Sequence, residues 1–170
     1  MTVERRSKRW PAARLTTVGR RLMSASPLCA IATVSPRARA YISHVYFAWT
    51  DSFDVCWISD PESRHSRNLA SSSSAAVTIY DSRQTWGRPD RGIHLFGVAA
   101  EVDGRRAREA EQAYAKRFPS YDGLDDSLRV YRFRPRTVQL FDERALAGGT
   151  LVTARVTRDG LKWLRTEVWA

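Results

Sequence analysis

The sequence predicts a mainly β (α+β) fold: a small antiparallel barrel in one domain with flanking helices. The length of 170 residues admits one domain whose core is large enough to fold unaided. Short apolar runs are separated by turn residues, and neither an internal repeat nor a long linker interrupts them. Many short strands joined by short turns are typical of a small barrel.

The first predicted elements are one helix and a meander of three strands. Residues 10–23 predict a helix because Leu15, Val18 and Leu22 recur at helical spacing. The uncharged apolar run 28–34 predicts a buried strand. Turn residues then separate two further predicted strands, which cover 40–49 and 55–59.

The rest of the chain combines two further helices with more strands. The predicted helices cover 64–71 and 105–118. The predicted strands cover 75–80, 92–102, 128–133 and 137–141, the last two joined around Pro135, and a final hairpin covers 150–156 and 161–169. We divide the chain into a basic N-terminal arm and helix (1–23), a barrel domain (24–142) and a C-terminal hairpin packed on that domain (143–170).

The chain is strongly basic. Its 28 lysines and arginines against 18 acidic residues give a formal net charge of +10, which predicts attraction to polyanions. The basic residues of the first 21 positions face a single acid, Glu4. Such an arm attracts a phosphate backbone, but a charge run is usually a solvated surface. The sequence carries no helix-turn-helix, zinc-finger or RNA-recognition signature, which argues against nucleic acid as the partner.

Several functional classes lose support because their motifs are missing. No apolar run reaches the roughly 18 residues of a transmembrane helix, so we expect no membrane partner. No P-loop, GxGxxG, HExxH or GxSxG motif supports nucleotide hydrolysis, a Rossmann cofactor site or zinc proteolysis. Cys29 and Cys56 lie in apolar runs outside any CxxC pair. They favour free thiols in a reducing cytoplasm, with a single disulfide left as the alternative.

The segment 59–67 is the strongest candidate for an anion site. It leaves a strand, turns at a proline and opens a helix whose first backbone N–H groups are free to bind an anion. Ser63, Arg64 and His65 add hydroxyl and cationic donors at the same point. The alternative is an ordinary helix cap beside a solvated basic face.

Two histidines and one tryptophan are further candidates. His44 and His94 lie in apolar strands, where a histidine is usually a structural residue but can also donate a proton. Trp86 lies among the arginines of the loop 81–91. One interpretation is that it stacks on a ring or a base; the alternatives are a contact with a second subunit or a solvated loop. The sequence contains no metal-spaced cluster, so we predict no metal site.

The order of these segments resembles the pyridoxamine 5'-phosphate oxidase-like family of flavin-binding split β-barrels. The resemblance spans roughly residues 20–142 and rests on 28–35, 41–49, 55–69, 76–81, 92–101 and 131–142, in that order. It implies a six- to eight-stranded antiparallel split β-barrel with two to four flanking helices. It also implies a homodimer that binds flavin mononucleotide (FMN) at the subunit interface.

The resemblance also implies roles for individual residues. The backbone of Ser43, His44, Val45 and Tyr46 would line the flavin ring and its ribityl chain, whereas the phosphate would be held by Ser59, Ser63, Arg64 and His65. Trp86 and His94 would reach the ring from the other subunit, and His94 or His44 would be the catalytic proton donor. The oxidases themselves carry arginine at the position of Ser43 and lysine at that of His65.

We therefore predict a cytoplasmic, FMN-dependent oxidoreductase with a small organic substrate, or one that uses a deazaflavin coenzyme instead. The C-terminal tail lacks the substrate-binding pattern of the oxidases, so oxidation of a vitamin phosphate is not expected. The alternative is a non-catalytic split-barrel protein that binds an anionic ligand, namely flavin, haem or nucleic acid. In the haem variant His44 or His94 would be the ligand.

Overall fold

A computed structural model of the chain describes residues 3–6 and 8–169. These residues form ten strands and four helices. In chain order the elements are β1 (Val3–Arg6), α1 (Ala12–Met23), β2 (Leu28–Val34), β3 (Ala40–Tyr46), β4 (Ala48–Trp49), β5 (Val55–Ser59), α2 (Arg64–Ser71), β6 (Ser74–Tyr80), β7 (Arg91–Val102), α3 (Gly104–Arg117), β8 (Arg129–Asp142), α4 (Glu143–Leu146), β9 (Thr150–Thr157) and β10 (Gly160–Trp169).

The strands form one antiparallel sheet that does not close on itself. Its main path runs β1-β10-β9-β8-β7-β6-β2-β3, and β5 pairs with both β4 and β8 off that path. Strand β3 touches β5 without forming a ladder with it, so the barrel is split at this point. The predicted fold class is confirmed. Among the described residues there are ten strands, because β1 was not predicted and the predicted strand 40–49 is interrupted at Phe47 to give β3 and β4.

Strand β8 continues through Pro135, where the sequence predicts a break between two strands. The register between β7 and β8 shifts after Phe96, and Arg136 is left without a partner on β7. This bulge accommodates a residue that has no N–H to donate to the ladder. Gly97, opposite the proline, allows the close approach, because a Cβ there would lie 2.1 Å from a carbonyl oxygen of β8.

Helix α1 covers one end of the barrel core. The predicted apolar positions Leu15, Val18 and Leu22 are buried, and the helix packs against β10. It begins at Ala12 rather than at residue 10, because Pro11 has an extended backbone and occupies the N-cap position. The largest buried side chains of the core are aromatic: Trp57, Phe47, Phe53 and Phe133.

Part of the basic N-terminal segment packs on β10, the strand that α1 also contacts. Strand β1 extends the sheet by pairing with β10. The ammonium group of Lys8 lies 4.3 Å from the Trp10 ring centre, and the guanidinium of Arg9 lies 5.0 Å from that of Trp163. The Lys8 carbonyl also accepts a hydrogen bond of 2.7 Å from Thr166 Oγ1. These basic side chains are therefore held against aromatic rings.

The two cysteines are free and buried. Burial raises the pKa of both thiols, in each case to about 12. Among the described residues, no helix combines the length and the apolar character needed to span a membrane.

Candidate functional site

The connection from β5 to α2 builds a capped helix start. Ser63 Oγ accepts a hydrogen bond from the backbone N–H of Ser66 at 3.3 Å, which is the usual N-cap geometry. The side chain of Asp60 accepts from the backbone N–H of Glu62 at 2.7 Å and so fixes the turn before the helix. The predicted helix 64–71 is confirmed residue for residue.

Four hydroxyl groups and one imidazole meet at this point. Ser63 Oγ donates to Ser66 Oγ at 2.8 Å and lies 3.4 Å from Ser59 Oγ. The His65 ring lies 3.3 Å from Ser63 Oγ, and its Nδ1 lies 3.1 Å from Ser43 Oγ. We call this group, formed by Ser43, Ser59, Ser63, His65 and Ser66, the serine–histidine cluster.

The imidazole of the cluster is buried against an aromatic pair. Trp57 and Tyr131 stack with ring centres 5.6 Å apart, and the His65 ring lies 6.4 Å from each of them. Burial lowers the pKa of His65. The imidazole is therefore neutral at pH 7, and the cluster is rich in donors but carries no charge of its own.

Arg64 supplies a permanent positive charge at the rim of the cluster. Its side chain is exposed, and the guanidinium lies 5.3 Å from the ring centre of Tyr41 on β3. In the part of the chain that the structure describes, no carboxylate pairs with it. The guanidinium retains donors for an external anion.

Strand β3 borders the cluster and has a free edge. Among the described strands it pairs only with β2, so backbone N–H and C=O groups of alternate residues point away from the sheet. Ser43 and Val45 face inward and are half-buried, whereas His44 and Tyr46 face outward and are exposed. Tyr46 contacts Phe118 edge-on at 5.8 Å.

His44 and His94 lie on the opposite face of the sheet from the cluster. The ladder places His44 beside Ala30, Ala30 beside Thr78, and Thr78 beside His94. Three strand spacings separate the two histidines by about 14 Å. An apolar groove of about 290 Å³ runs along this outer face, and a cavity of about 240 Å³ lies beside His44. We call this surface the outer sheet face.

The structure thus brings together five of the predicted site residues, whereas His44, His94 and Trp86 lie outside the cluster. Within one chain the cluster contains Ser43, Ser59, Ser63 and His65, with Arg64 at its rim. Trp86 is 98% exposed on the loop between β6 and β7.

Two further members of the site were not predicted. Ser66 follows its capping partner by three residues, and this spacing was available in the sequence. Tyr131 reaches the site because β8 pairs with β5 opposite Trp57, a register that no local pattern reveals.

Comparison with known proteins identifies the family. The sequence matches the pyridoxamine 5'-phosphate oxidase family model over residues 15–142, which is most of the chain. The chain belongs to the pyridoxamine 5'-phosphate oxidase-like family. The matched residues run from α1 to the end of β8 and include the whole serine–histidine cluster. No curated protein matches the sequence.

Solved structures with the same fold have diverse descriptions. A protein of unknown function from Agrobacterium tumefaciens, Atu2129, has a TM-score of 0.61 and 20% identity over 77% of this chain, which spans 57% of that one. The heme storage protein HutZ from Vibrio cholerae has a TM-score of 0.62 and 18% identity, covering 72% of this chain and 90% of its own.

A third match is PhzG from Burkholderia lata, solved with tetrahydrophenazine-1-carboxylic acid. Its TM-score is 0.60 and its identity is 15%, covering 91% of this chain and 92% of its own. At these identities the similarity shows the fold alone. The same fold is therefore found in proteins with different descriptions.

Proposed function

We propose that this pyridoxamine 5'-phosphate oxidase-like protein is a cytoplasmic, homodimeric oxidoreductase that acts on a small organic substrate with FMN or a deazaflavin coenzyme. The observation that supports this most strongly is the serine–histidine cluster beside the free edge of β3, with the unpaired cation of Arg64 at its rim. The free thiols of Cys29 and Cys56 support the cytoplasmic location.

The donor set fits a phosphate monoester. The hydroxyls of Ser59 and Ser63 lie together at the start of α2, where free backbone N–H groups also favour an anion. Arg64 offers the charged, bidentate contact that phosphate oxygens prefer. A phosphate bound beside His65 would raise the pKa of its imidazole and recover part of the charge that burial removes.

The free edge of β3 fits the ring of a flavin or deazaflavin and the ribityl chain attached to it. Backbone N–H groups between Ser43 and Tyr46 that are not used by β2 would orient the ring and stabilise negative charge on it. A bound flavin or deazaflavin supplies hydride transfer, a reaction that no protein side chain performs. The protein's contribution is to fix the ring, to exclude water and to position the substrate.

The proposed dimer explains why the predicted catalytic histidines lie outside the cluster. His44 and His94 are on the outer sheet face with the exposed apolar residues Ile42 and Phe96, which are 63% and 41% exposed. Covering this face with a second copy would bury apolar area and would place His94 and Trp86 near the partner's ring. His94 or His44 is then the proposed proton donor to substrate.

Copurification tests the proposal directly. Native mass spectrometry and absorption spectra of the purified protein should reveal FMN or a deazaflavin coenzyme. Arg64→Ala should weaken cofactor binding about 10- to 100-fold, the loss expected for one charged hydrogen-bonding group. Arg67→Ala is the matched control, because it removes an exposed arginine from the same helix. A colourless protein that binds neither cofactor in titration would contradict the proposal.

Haem binding is the second candidate function. The observation in its favour is that His94 lines the apolar groove of the outer sheet face while His44 lines the cavity on the same face, a combination of ligand and apolar surface that suits haem. A haem storage protein also shares the fold. A Soret band after haem addition that is lost in His44→Ala or His94→Ala, but kept in Arg64→Ala, would favour this function over flavin binding.

A further inference from the structure

An arginine-lined cleft lies at the end of the barrel, where the loop 81–90 meets α1, β7 and α4. Two cavities of about 300 and 350 Å³ adjoin there and share Asp81, Arg91 and Arg144 in their linings. We call the surface around them the arginine cleft. Its arginines come from four different segments of the chain: Arg21, Arg83, Arg88, Arg91 and Arg144.

The two carboxylates of the cleft are already engaged. Asp81 accepts hydrogen bonds from Arg83 Nε at 3.0 Å and Nη2 at 3.1 Å, and Arg91 Nη2 approaches it to 3.7 Å. Asp142 is almost fully buried, pairs with Arg21 and accepts backbone N–H groups at the start of α4. Neither carboxylate is free to neutralise a further cation.

The cleft therefore carries a surplus of positive charge. Five guanidinium groups and two carboxylates line it, and within the described residues neither Arg88 nor Arg144 has an acidic partner. The nearby acid Glu143 does not line either cavity, because its carboxylate accepts the backbone N–H groups of Asp90 and Gly149. Positive charges that line one cleft raise its local potential and attract an anion.

We propose that the arginine cleft binds a small multivalent anion, a phosphate ester or a polycarboxylate, at a site separate from the serine–histidine cluster. Guanidinium forks bind such groups in a bidentate manner, and two adjoining cavities suit a ligand with two anionic groups. The site shares no lining residue with the cluster.

Calorimetric titration at low ionic strength, with pyrophosphate and citrate as probes, tests the site. Arg88→Gln and Arg144→Gln remove unpaired cations, so the fold should be retained. Each should weaken binding of the probe about tenfold, as expected for one charged contact. Arg158→Gln removes an equal charge from the exposed turn before β10 and should change binding less than twofold. Arg64→Ala should also leave probe binding intact, which separates this site from the proposed cofactor site.

Each outcome of the titration is informative. Binding of pyrophosphate alone supports a phosphate ester, binding of citrate alone supports a polycarboxylate, and binding of both supports a general multivalent-anion site. The inference is overturned if neither probe binds, or if Arg158→Gln weakens binding as much as Arg144→Gln does. Loss of binding in Arg64→Ala would assign the anion to the serine–histidine cluster and would equally overturn it.

Discussion

His65 Nδ1 lies 3.1 Å from Ser43 Oγ, although 22 residues separate the two in the chain. These are the positions at which the resemblance to the oxidases implies lysine and arginine. The two departures from the family pattern therefore contact each other and form a neutral pair in place of two cations. Arg64 is left as the permanent charge beside the cluster.

Restoring one of these charges should strengthen cofactor binding. Ser43→Arg adds a guanidinium on the inward face of β3, next to the proposed phosphate position. We expect FMN affinity to rise about tenfold or more, the usual gain from one charge-assisted contact. Leu164→Arg is the control, because it adds the same charge at an exposed position on β10, at the other end of the sheet path from β3. Equal gains in both variants, measured by fluorescence titration, would show that the effect is nonspecific.

The buried imidazole should make stability depend on pH. Because burial lowers the pKa of His65, the unfolded chain binds its proton more readily than the folded chain does. The free energy of unfolding should therefore fall as the pH drops from 7.5 to 5.5, through the ordinary histidine range. Urea denaturation at each pH gives the free energy of unfolding. This free energy should depend less steeply on pH in His65→Gln than in the unsubstituted protein, and His44→Gln is the exposed control. An unchanged slope in His65→Gln would refute the assignment.

The bulge in β8 should tolerate no side chain at Gly97. A Cβ there would lie 2.1 Å from the Arg134 carbonyl oxygen, and that backbone is fixed in the sheet. Gly97→Ala should lower the free energy of unfolding by about 3 kcal/mol. At Gly148 a Cβ would meet only the Glu143 side chain at 3.9 Å. Gly148→Ala should be nearly neutral, and similar losses in the two variants would contradict this account of the bulge.

An ion pair joins β8 to the turn before β5, and replacing only one of its two partners should lower the free energy of unfolding. Arg132 Nε donates to Asp54 Oδ2 at 2.8 Å, and the two side chains are only 18% and 11% exposed. Arg132→Met leaves a buried carboxylate without its partner, at a cost of about 3 kcal/mol. The double variant Arg132→Met with Asp54→Leu should recover most of that loss in chemical denaturation. A double variant as unstable as the single one would mean that the pair contributes through something other than charge.

The local part of the site was predictable and the non-local part was not. A strand end, a turn and a capped helix placed Ser59, Ser63 and His65 together because all three lie within seven residues. The contribution of Ser43 depends on the tertiary position of β3, and that of Tyr131 depends on the register of β8. Neither the position of β3 nor the register of β8 can be predicted from a short stretch of sequence.

The alternation of side chains along β3 divides its predicted site residues between two faces of the sheet. Adjacent residues of a strand point to opposite faces, so Ser43 and His44 cannot both direct their side chains at one ligand. The backbone of both residues can still line the ring, as the resemblance implies. The side chain of His44 instead joins that of His94 on the outer sheet face.

In the proposed function, the serine–histidine cluster and Arg64 hold the phosphate of a flavin or deazaflavin. Fluorescence titration of the purified protein with FMN and with riboflavin, which lacks the phosphate, isolates the contribution of that phosphate. We predict at least about tenfold tighter binding of FMN, and loss of this difference in Arg64→Ala but not in Arg67→Ala. Equal affinity for FMN and riboflavin, or a difference that survives in Arg64→Ala, would contradict the claim.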